Sequence, residues 1–148
     1  CILISPKINF EKEPNTCFSD YNGRILCIGI PFGKYEIKIC NIYAPTTRNS
    51  NDQVQFIKDL KNFLTEYQDS SFLIGGDWNC VLNENLDKKG GTQHCKVSKY
   101  VDSIHELCES MYLVDAWRVL HPNKKYFSWR QRNPVIQCRL DFWLISSN

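Results

Sequence analysis

The stretch FLIGGDWNCVLN, residues 72–83, places an acid and an amide two positions apart at the end of an apolar run. In an extended chain, residues two apart point to the same side, so Asp77 and Asn79 would project together while Trp78 turns to the opposite side. A carboxylate can take a proton or bind a hard cation, and an amide can donate and accept hydrogen bonds. The pair suits phosphate-ester hydrolysis, in which a metal ion or a donor holds the phosphate and the carboxylate activates water. An Asx turn is the alternative interpretation, because Asp and Asn commonly form turns.

A second polar pair ends another apolar run, YEIKICNIY. Asn41 and Tyr43 share one face of this predicted strand, just before Pro45 interrupts it. The amide and the phenol could both contact a phosphate. The alternative is that Tyr43 packs half-buried with its hydroxyl at the rim of the core, as a strand Tyr usually does.

A third candidate is Asp141, which the sequence places in the middle of the apolar run QCRLDFWLIS. Burying a carboxylate costs several kcal/mol unless it is paired, so this acid is expected to have a partner. Arg139 lies two residues away on the same side and is one candidate, in a purely structural ion pair. The functional alternative is that Asp141 orients a catalytic histidine by fixing the position and tautomer of its imidazole.

A fourth segment, KKYFSWRQR, alternates basic and aromatic residues. Such a strand could present Arg130 or Arg132 to a phosphate backbone and its aromatic rings to bases. An amphipathic strand with its aromatic rings in the core is the alternative. The three histidines, His94, His105 and His121, have no spacing typical of metal ligands.

The elements that would position these residues follow from hydrophobic periodicity. We predict strands at 24–30, 35–43, 71–76, 126–131 and 137–146, helices at 52–67 and about 97–111, a polar loop at 83–95 and a short helical turn in DAWRVLHP. The first two strands would form an antiparallel hairpin around Pro31 and Gly33. This order indicates a mixed α/β or α+β layered protein rather than a regular βαβ repeat.

Composition limits the class of protein. The chain has 148 residues, of which 43% are apolar and 13% aromatic, so we expect one globular domain spanning 1–148. The formal net charge of +2 does not by itself indicate a nucleic-acid-binding protein. The eight cysteines include no C-x-x-C pair, and we predict reduced core thiols rather than a disulfide framework or a zinc site. With no secretory segment and no apolar run of membrane-spanning length, we expect an intracellular monomer, nuclear or cytoplasmic.

Read in order, the four segments resemble the endonuclease/exonuclease/phosphatase superfamily. The motifs are Asn-x-Tyr-x-Pro, Gly-Asp-x-Asn, an aromatic–hydroxyl–Trp strand and Arg-Leu-Asp followed by an apolar strand. The sequences around these motifs are similar to the endonuclease domain of non-LTR, LINE-type retrotransposons. The similar segments are NIYAPTT, GGDWNCVLNENLDKKGG, LVDAWRVLHPNKKYFSWR and CRLDFWLIS. The resemblance covers essentially the whole chain and implies a four-layer α/β sandwich, in which two facing mixed β-sheets are flanked by helices.

The resemblance also implies roles for individual residues. Asp77 would activate the attacking water or lie near the metal ion, and Asn79 would share that metal site. Asn79 and Tyr43 would hold the scissile phosphate with help from Asn41, and Asp141 would orient the catalytic histidine. Ser128 stands where the family usually has Thr, and Trp78 replaces the more usual Phe. Ser128, Arg130 and Arg139 are further candidates for contact with the substrate.

Two family motifs have no counterpart in the sequence. One contains the principal metal-binding Glu and precedes the segment that matches CILIS. The other is a Ser-Asp-His motif that follows CRLDFWLIS. We therefore expect the chain to represent the central and later part of the domain, incomplete at both ends and inactive or nearly so.

The expected function is that of a fragment of a Mg²⁺-dependent DNA endonuclease, with Mn²⁺ as an alternative ion, that nicks a target site for a reverse transcriptase in the same polyprotein. Two alternatives stay open. One is a phosphatase or phosphodiesterase acting on a small-molecule or lipid phosphate. The other is a non-enzymatic retroelement remnant, with or without affinity for nucleic acid.

Overall fold

A computed structural model describes residues 1–7, 17–20, 22–46, 50–92 and 98–147. The strands are β1 (Cys17–Ser19), β2 (Ile25–Phe32), β3 (Tyr35–Tyr43), β4 (Ser71–Asp77), β5 (Lys88–Lys89), β6 (Leu113–Asp115), β7 (Trp129–Gln131), β8 (Ile136–Cys138) and β9 (Asp141–Ser146). The helices are α1 (Ser50–Thr65), α2 (Glu84–Asp87), α3 (Lys99–Ser110) and α4 (Ala116–Leu120). None of the helices described here has the length and apolar composition that crossing a membrane requires.

Two sheets organise the chain. Six strands form a mixed sheet in the order β1-β2-β3-β4-β9-β6, in which β3 and β4 run parallel and the other neighbours are antiparallel. Strands β5, β8 and β7 form a small antiparallel sheet. The predicted α+β class, with two sheets and flanking helices, is confirmed. The smaller sheet is antiparallel throughout the described strands, where the resemblance implied a mixed one.

The predicted hairpin is confirmed, with its turn at Gly33 and Lys34. Gly33 has a φ of +64°, a conformation that glycine adopts without a steric penalty. Strands β2 and β3 pair over their full length, from Phe32 with Tyr35 to Ile25 with Ile42. This long ladder fixes the register of β3, which ends at Tyr43.

The helices α1 and α3 cover one face of the large sheet. Alternate residues of the central strands point into this core, among them Ile42 of β3, Ile74 of β4 and Leu144 of β9. They pack with buried helix residues such as Leu60 of α1 and Ile104 of α3. Because side chains alternate along a strand, the polar residues that end these strands face the opposite side of the sheet.

The cysteines agree with the predicted reduced state where the structure describes them. Cys1, Cys27, Cys40, Cys80, Cys108 and Cys138 have free thiols. Burial raises the pKa of the Cys80 thiol to about 12, so this group stays protonated at neutral pH. His94 and Cys95 lie outside the described residues.

One predicted strand is wrong. The run 137–146 forms two strands in different sheets, since β8 ends at Cys138 and β9 begins at Asp141. The break is explained by Ser128, whose hydroxyl accepts the N–H groups of Leu140 and Asp141 and so draws the chain out of the first ladder. Asp141 is consequently the first residue of β9 and exposed, rather than buried in the middle of a strand.

Several shorter elements are additions to the sequence-based assignment. Strands β1 and β6 have three residues each, and the one-turn helix α2 lies in the segment predicted as a loop. Asn83 caps α2 by accepting the N–H groups of Asn85 and Leu86. Helices α1, α3 and α4 confirm the predicted helical segments, with α1 ending two residues earlier than expected.

The glycine before Asp77 is required by the backbone. Gly76 has a φ of +145°, and a Cβ built there would lie 2.0 Å from the carbonyl oxygen of Ile42 in the neighbouring strand. We predict that Gly76→Ala lowers the free energy of unfolding by at least about 2 kcal/mol, because both the backbone and the contact with Ile42 are strained. Urea unfolding followed by circular dichroism measures this.

The matched control is Gly33→Ala, which also has positive φ but has no atom within 4 Å of the added Cβ. It should cost only about 1 kcal/mol, the penalty for an alanine in the left-handed region. Equal losses in the two variants would contradict the close approach of β3 to Gly76.

Candidate active site

Strand register brings three of the predicted site residues into one row. Tyr43 pairs with Asp77 between β3 and β4, and Asp77 pairs with Asp141 between β4 and β9. Directly paired residues point to the same face of a sheet, and neighbouring strands lie about 4.8 Å apart. A phenol and two carboxylates therefore stand side by side at one end of the sheet, on the face opposite α1 and α3. We call Tyr43, Asp77 and Asp141 the polar row.

Trp78 anchors the end of β4 in the core. Its side chain is fully buried, stacks on Phe142 with ring centroids 5.0 Å apart, and donates from Nε1 to the Phe142 carbonyl at 3.0 Å. The Trp78 carbonyl accepts the hydroxyl of Tyr100 at 2.8 Å. The sequence-based prediction that Trp78 turns away from Asp77 is correct, and this burial holds the backbone beneath the polar row.

Asn79 lies beside Asp77 for a reason different from strand alternation. The strand ends at Asp77, and Asn79 adopts a left-handed conformation with φ of +50°. Its N–H donates to Asp77 Oδ1 at 2.9 Å, and its Nδ2 donates to the Ala44 carbonyl at 2.7 Å. The assumption of continued extended geometry was wrong. An Asx turn forms, and it ties the end of β4 to the end of β3.

The Asp77 carboxyl is electrostatically perturbed. Partial burial raises its pKa above the ordinary value of 3.8, the N–H of Asn79 opposes this shift, and the negative charge of Asp141 adds to it. A carboxylate with a raised pKa holds a proton more readily than an ordinary aspartate does. That property suits a group that takes a proton from water during hydrolysis.

Arg24 is a functional candidate that the sequence analysis missed. The Tyr43 N–H donates to the Arg24 carbonyl at 2.8 Å, and Arg24 Nη1 donates back to the Tyr43 carbonyl at 3.1 Å. The guanidinium lies 5.6 Å from the centre of the Tyr43 ring. In the β2–β3 hairpin Ile25 pairs with Ile42, so the next residue pair would be Arg24 and Tyr43. Extending the predicted hairpin by that pair would have placed this cation at the polar row. A guanidinium there could bind a phosphate.

The corner that leads into Asp141 is built on Ser128. Its hydroxyl oxygen accepts from Leu140 N at 3.0 Å and from Asp141 N at 3.1 Å, while its own N–H donates to the Cys138 carbonyl at 3.0 Å. Ser128 thus acts on the backbone of the site in this structure. Its predicted contact with substrate stays a prediction.

The predicted ion pair between Arg139 and Asp141 is wrong. The Arg139 side chain is only 2% exposed and bonds to Asp87 and Asp115, with Nε–Oδ1 and Nη2–Oδ2 distances of 2.7 and 2.6 Å respectively. Burial among these two acids leaves the guanidinium away from solvent, so it does not present itself to a phosphate. The buried acid that Arg139 compensates is Asp87, which lies in the segment predicted as a polar loop.

The other two predicted residues lie outside the polar row. Asn41 belongs to the next row of the sheet, where it pairs with Gly75, which in turn pairs with Trp143. The Trp143 ring covers Gly75, since a Cβ there would lie 2.5 Å from ring atoms. Arg130 is exposed in β7 of the small sheet.

An open cavity of about 660 Å³ adjoins the row on the side of Asp141. Its walls include the rings of Trp117, Tyr126 and Trp143 together with Ser128. The cavity is mostly apolar and contributes aromatic surface next to the carboxylates.

Neither described histidine belongs to the polar row. His121 contacts Trp117 with tilted rings whose centroids are 4.1 Å apart, and His105 is exposed on α3, which packs on the other face of the sheet. Within the described ranges, no three or more His, Cys, Asp or Glu side chains are grouped closely enough to hold a metal ion.

Comparison with known proteins shows the fold. No family model matches the sequence. Among solved structures, a 3′-5′ exonuclease (NExo) from Neisseria meningitidis matches 84% of this chain and 52% of its own, with a TM-score of 0.67 and 16% identity. The endonuclease domain of TRAS1, a telomere-specific non-LTR retrotransposon, matches 84% and 51%, with a TM-score of 0.57 and 15% identity.

A truncated Caenorhabditis elegans TDP2 matches 87% of this chain and 48% of its own, with a TM-score of 0.55 and 15% identity. These proteins have endonuclease/exonuclease/phosphatase-type folds, so the resemblance seen in the sequence is confirmed at the level of the fold. The chain spans about half the length of the solved structures that it matches.

The raised pKa of Asp77 predicts a pH-dependent stability. Folding disfavours the ionised carboxylate, so wild-type stability should fall relative to Asp77→Asn as pH rises from 3.8 through the higher pKa of the folded state. At pH 7 we expect Asp77→Asn to be more stable by a few tenths of a kcal/mol, since water around the partly exposed group screens the effect. Below pH 3.8 the difference should vanish. Urea unfolding at several pH values measures it.

The control is Asp69→Asn, which changes an exposed acid in the turn after α1. It makes the same chemical change away from the polar row, so it separates the effect of Asp77 from that of removing one negative charge. An Asp77→Asn variant that loses stability at pH 7 would contradict the assigned direction of the shift.

Proposed function

We propose that this chain carries the phosphate-binding part of the active site of a nuclease whose substrate is a DNA phosphodiester. The observation that carries the proposal is the polar row, in which a phenol and two carboxylates stand in register at the end of three adjacent strands. Structures with the same fold include a 3′-5′ exonuclease and a retrotransposon endonuclease domain, which supports a hydrolase of this kind.

Each member of the row has a distinct proposed role. Asp77 takes a proton from the attacking water, because its raised pKa favours proton uptake. Tyr43 and Asn79 donate to the non-bridging phosphate oxygens, with Arg24 supplying positive charge beside Tyr43. By the resemblance, Asp141 orients an imidazole, and Asn41 supports the phosphate from the next row.

Asp77 of the row and the adjacent Asn79 fit a Mg²⁺ ion. The donors are carboxylate and amide oxygens, which this hard cation prefers, and it binds proteins through only one or two carboxylates. Asp77 and Asn79, with Asp141 beside them, are the residues that would hold it, and Mn²⁺ would suit the same donors. Such an ion would supply positive charge at the phosphate.

The finer assignment is target-site nicking by a LINE-type element that also carries a reverse transcriptase. It is supported by the resemblance of the sequences around the motifs to retroelement endonuclease domains. The TRAS1 endonuclease domain, which is among the structures of the same fold, also supports it. The same row could serve a phosphodiesterase acting on a small molecule or lipid, and the experiment below separates these substrates.

The proposal predicts DNA binding that depends on the polar row. We expect Tyr43→Phe to weaken binding of a short fluorescent DNA about fivefold, because a hydrogen bond to phosphate worth about 1 kcal/mol is lost. Fluorescence anisotropy with Mg²⁺ at low salt measures it, and added salt should weaken binding further through counterion release.

The chain provides a matched control at the other end of β3. Tyr35 is similarly exposed, at 64% against 51% for Tyr43, and also has a cation near its ring, with Lys34 Nζ 5.2 Å from the ring centre. Tyr35→Phe should leave binding unchanged. Equal effects of the two substitutions, or no DNA binding while an inositol or lipid phosphate binds, would contradict the proposal.

Catalysis by the isolated chain should be weak or undetectable. Supercoiled plasmid incubated with Mg²⁺ is expected to stay largely intact, because the histidine and glutamate of the family motifs have no counterpart in the sequence and such groups act as a unit. Robust nicking that Asp77→Ala abolishes would overturn the expected inactivity and would support the role of Asp77.

A further inference from the structure

The chain passes from the small sheet to the large sheet within two residues. Cys138 pairs with Trp129 and Lys88 in the small sheet, and Asp141 pairs with Asp77 in the large one. Arg139 and Leu140 form the crossing between them. The position of Asp141 therefore depends on how this short crossing is held.

Arg139 is fixed at the crossing by two acids from different parts of the fold. Its Nε and Nη2 bond to the two carboxylate oxygens of Asp87 at 2.7 and 3.1 Å, and its backbone N–H donates to the Asp87 carbonyl at 2.8 Å. Its Nη1 and Nη2 reach the oxygens of Asp115 at 3.3 and 2.6 Å. Asp87 directly precedes β5 of the small sheet, and Asp115 ends β6 of the large one. The guanidinium thus joins the two sheets.

The network is completed by Arg118 of α4, whose Nη2 also bonds to Asp87. The same helix is capped by Asp115, which accepts the Arg118 N–H at 3.2 Å. Two arginines and two aspartates balance in charge, and both Arg139 and Asp87 are almost fully buried. Apolar residues of similar volume often give equal or greater stability than a buried ion pair, so such a network is weak support for a purely stabilising role.

We propose that Arg139 is a positioning residue, which sets the place of Asp141 in the polar row by holding the crossing between the sheets against Asp87 and Asp115. Alignment of the row matters because the row is the proposed binding site for phosphate, so this inference rests on the proposed function. Ser128 holds the other side of the same crossing, because its hydroxyl accepts the N–H groups of Leu140 and Asp141. A planar guanidinium can bond to two carboxylates at once, whereas an ammonium group lacks this fork.

The test replaces the fork and keeps the charge. In Arg139→Lys, we expect the Asp141 amide to exchange its hydrogen about tenfold faster than in wild type, because the crossing is loosened. We also expect the NOE between backbone protons of the paired residues Asp77 and Asp141 to weaken, because the start of β9 would move relative to β4. A residue with only a general structural role would lower the melting temperature without weakening this NOE relative to the NOEs between β2 and β3.

The control is Arg118→Lys, which makes the same chemical change at a second arginine bound to Asp87 but lies in α4, away from the crossing. It should leave the Asp141 exchange rate within about twofold of wild type and leave the NOE between Asp77 and Asp141 unchanged. A folded Arg139→Lys protein that matches Arg118→Lys in both measurements would overturn the proposal.

A second variant covers the case in which Arg139→Lys does not fold. Asp115→Asn removes one of the two charges that hold Arg139 and keeps an oxygen to cap α4. It should weaken the NOE between Asp77 and Asp141 in the same way as Arg139→Lys. If both variants are unfolded, the network is a requirement of the fold and the proposal is wrong. Since none of these measurements uses DNA, a correct alignment with no DNA binding would refute the proposed function alone.

Discussion

Hydrogen bonding among β3, β4 and β9 is the constraint on which the rest of the molecule depends. One register places Tyr43 beside Asp77 and Asp77 beside Asp141, and a shift of one residue in any strand would send its polar side chain into the core. The apolar residues that alternate with these groups pack under α1 and α3. Packing of the core therefore also aligns the row.

This alignment brings like charges together and strains the backbone beside them. The row sets two carboxylates next to each other, and the charge of Asp141 helps to raise the pKa of Asp77. The absence of a side chain at Gly76 allows β4 to lie close to β3. Such costs at the end of well-packed strands are typical of sites selected for chemistry rather than for stability. In our proposal, the buried network around Arg139 holds β9, the third strand of the row, in register.

Sequence alone predicted the long elements and the members of the row, because both leave local patterns: the hairpin, α1, α3 and the acid of Gly-Asp-x-Asn all follow from periodicity and motif order. It failed where the cause is distant in the chain. The split between β8 and β9 depends on Ser128, and the partner of Arg139 is Asp87, 52 residues away. Neither contact has a signature in local sequence, although each residue lies within a quoted motif. Asp141 was misjudged as buried because an apolar run was taken for one continuous strand.

The most direct test of the polar row is paramagnetic broadening by Mn²⁺ in the presence of a short DNA. The amide signals of Tyr43, Asp77 and Asp141 should broaden first as Mn²⁺ is added, because the proposed function has metal ion and phosphate bind at this row. Broadening centred instead on the acidic cavity beside α1, which is lined by Asp20 and Asp59, would contradict the account.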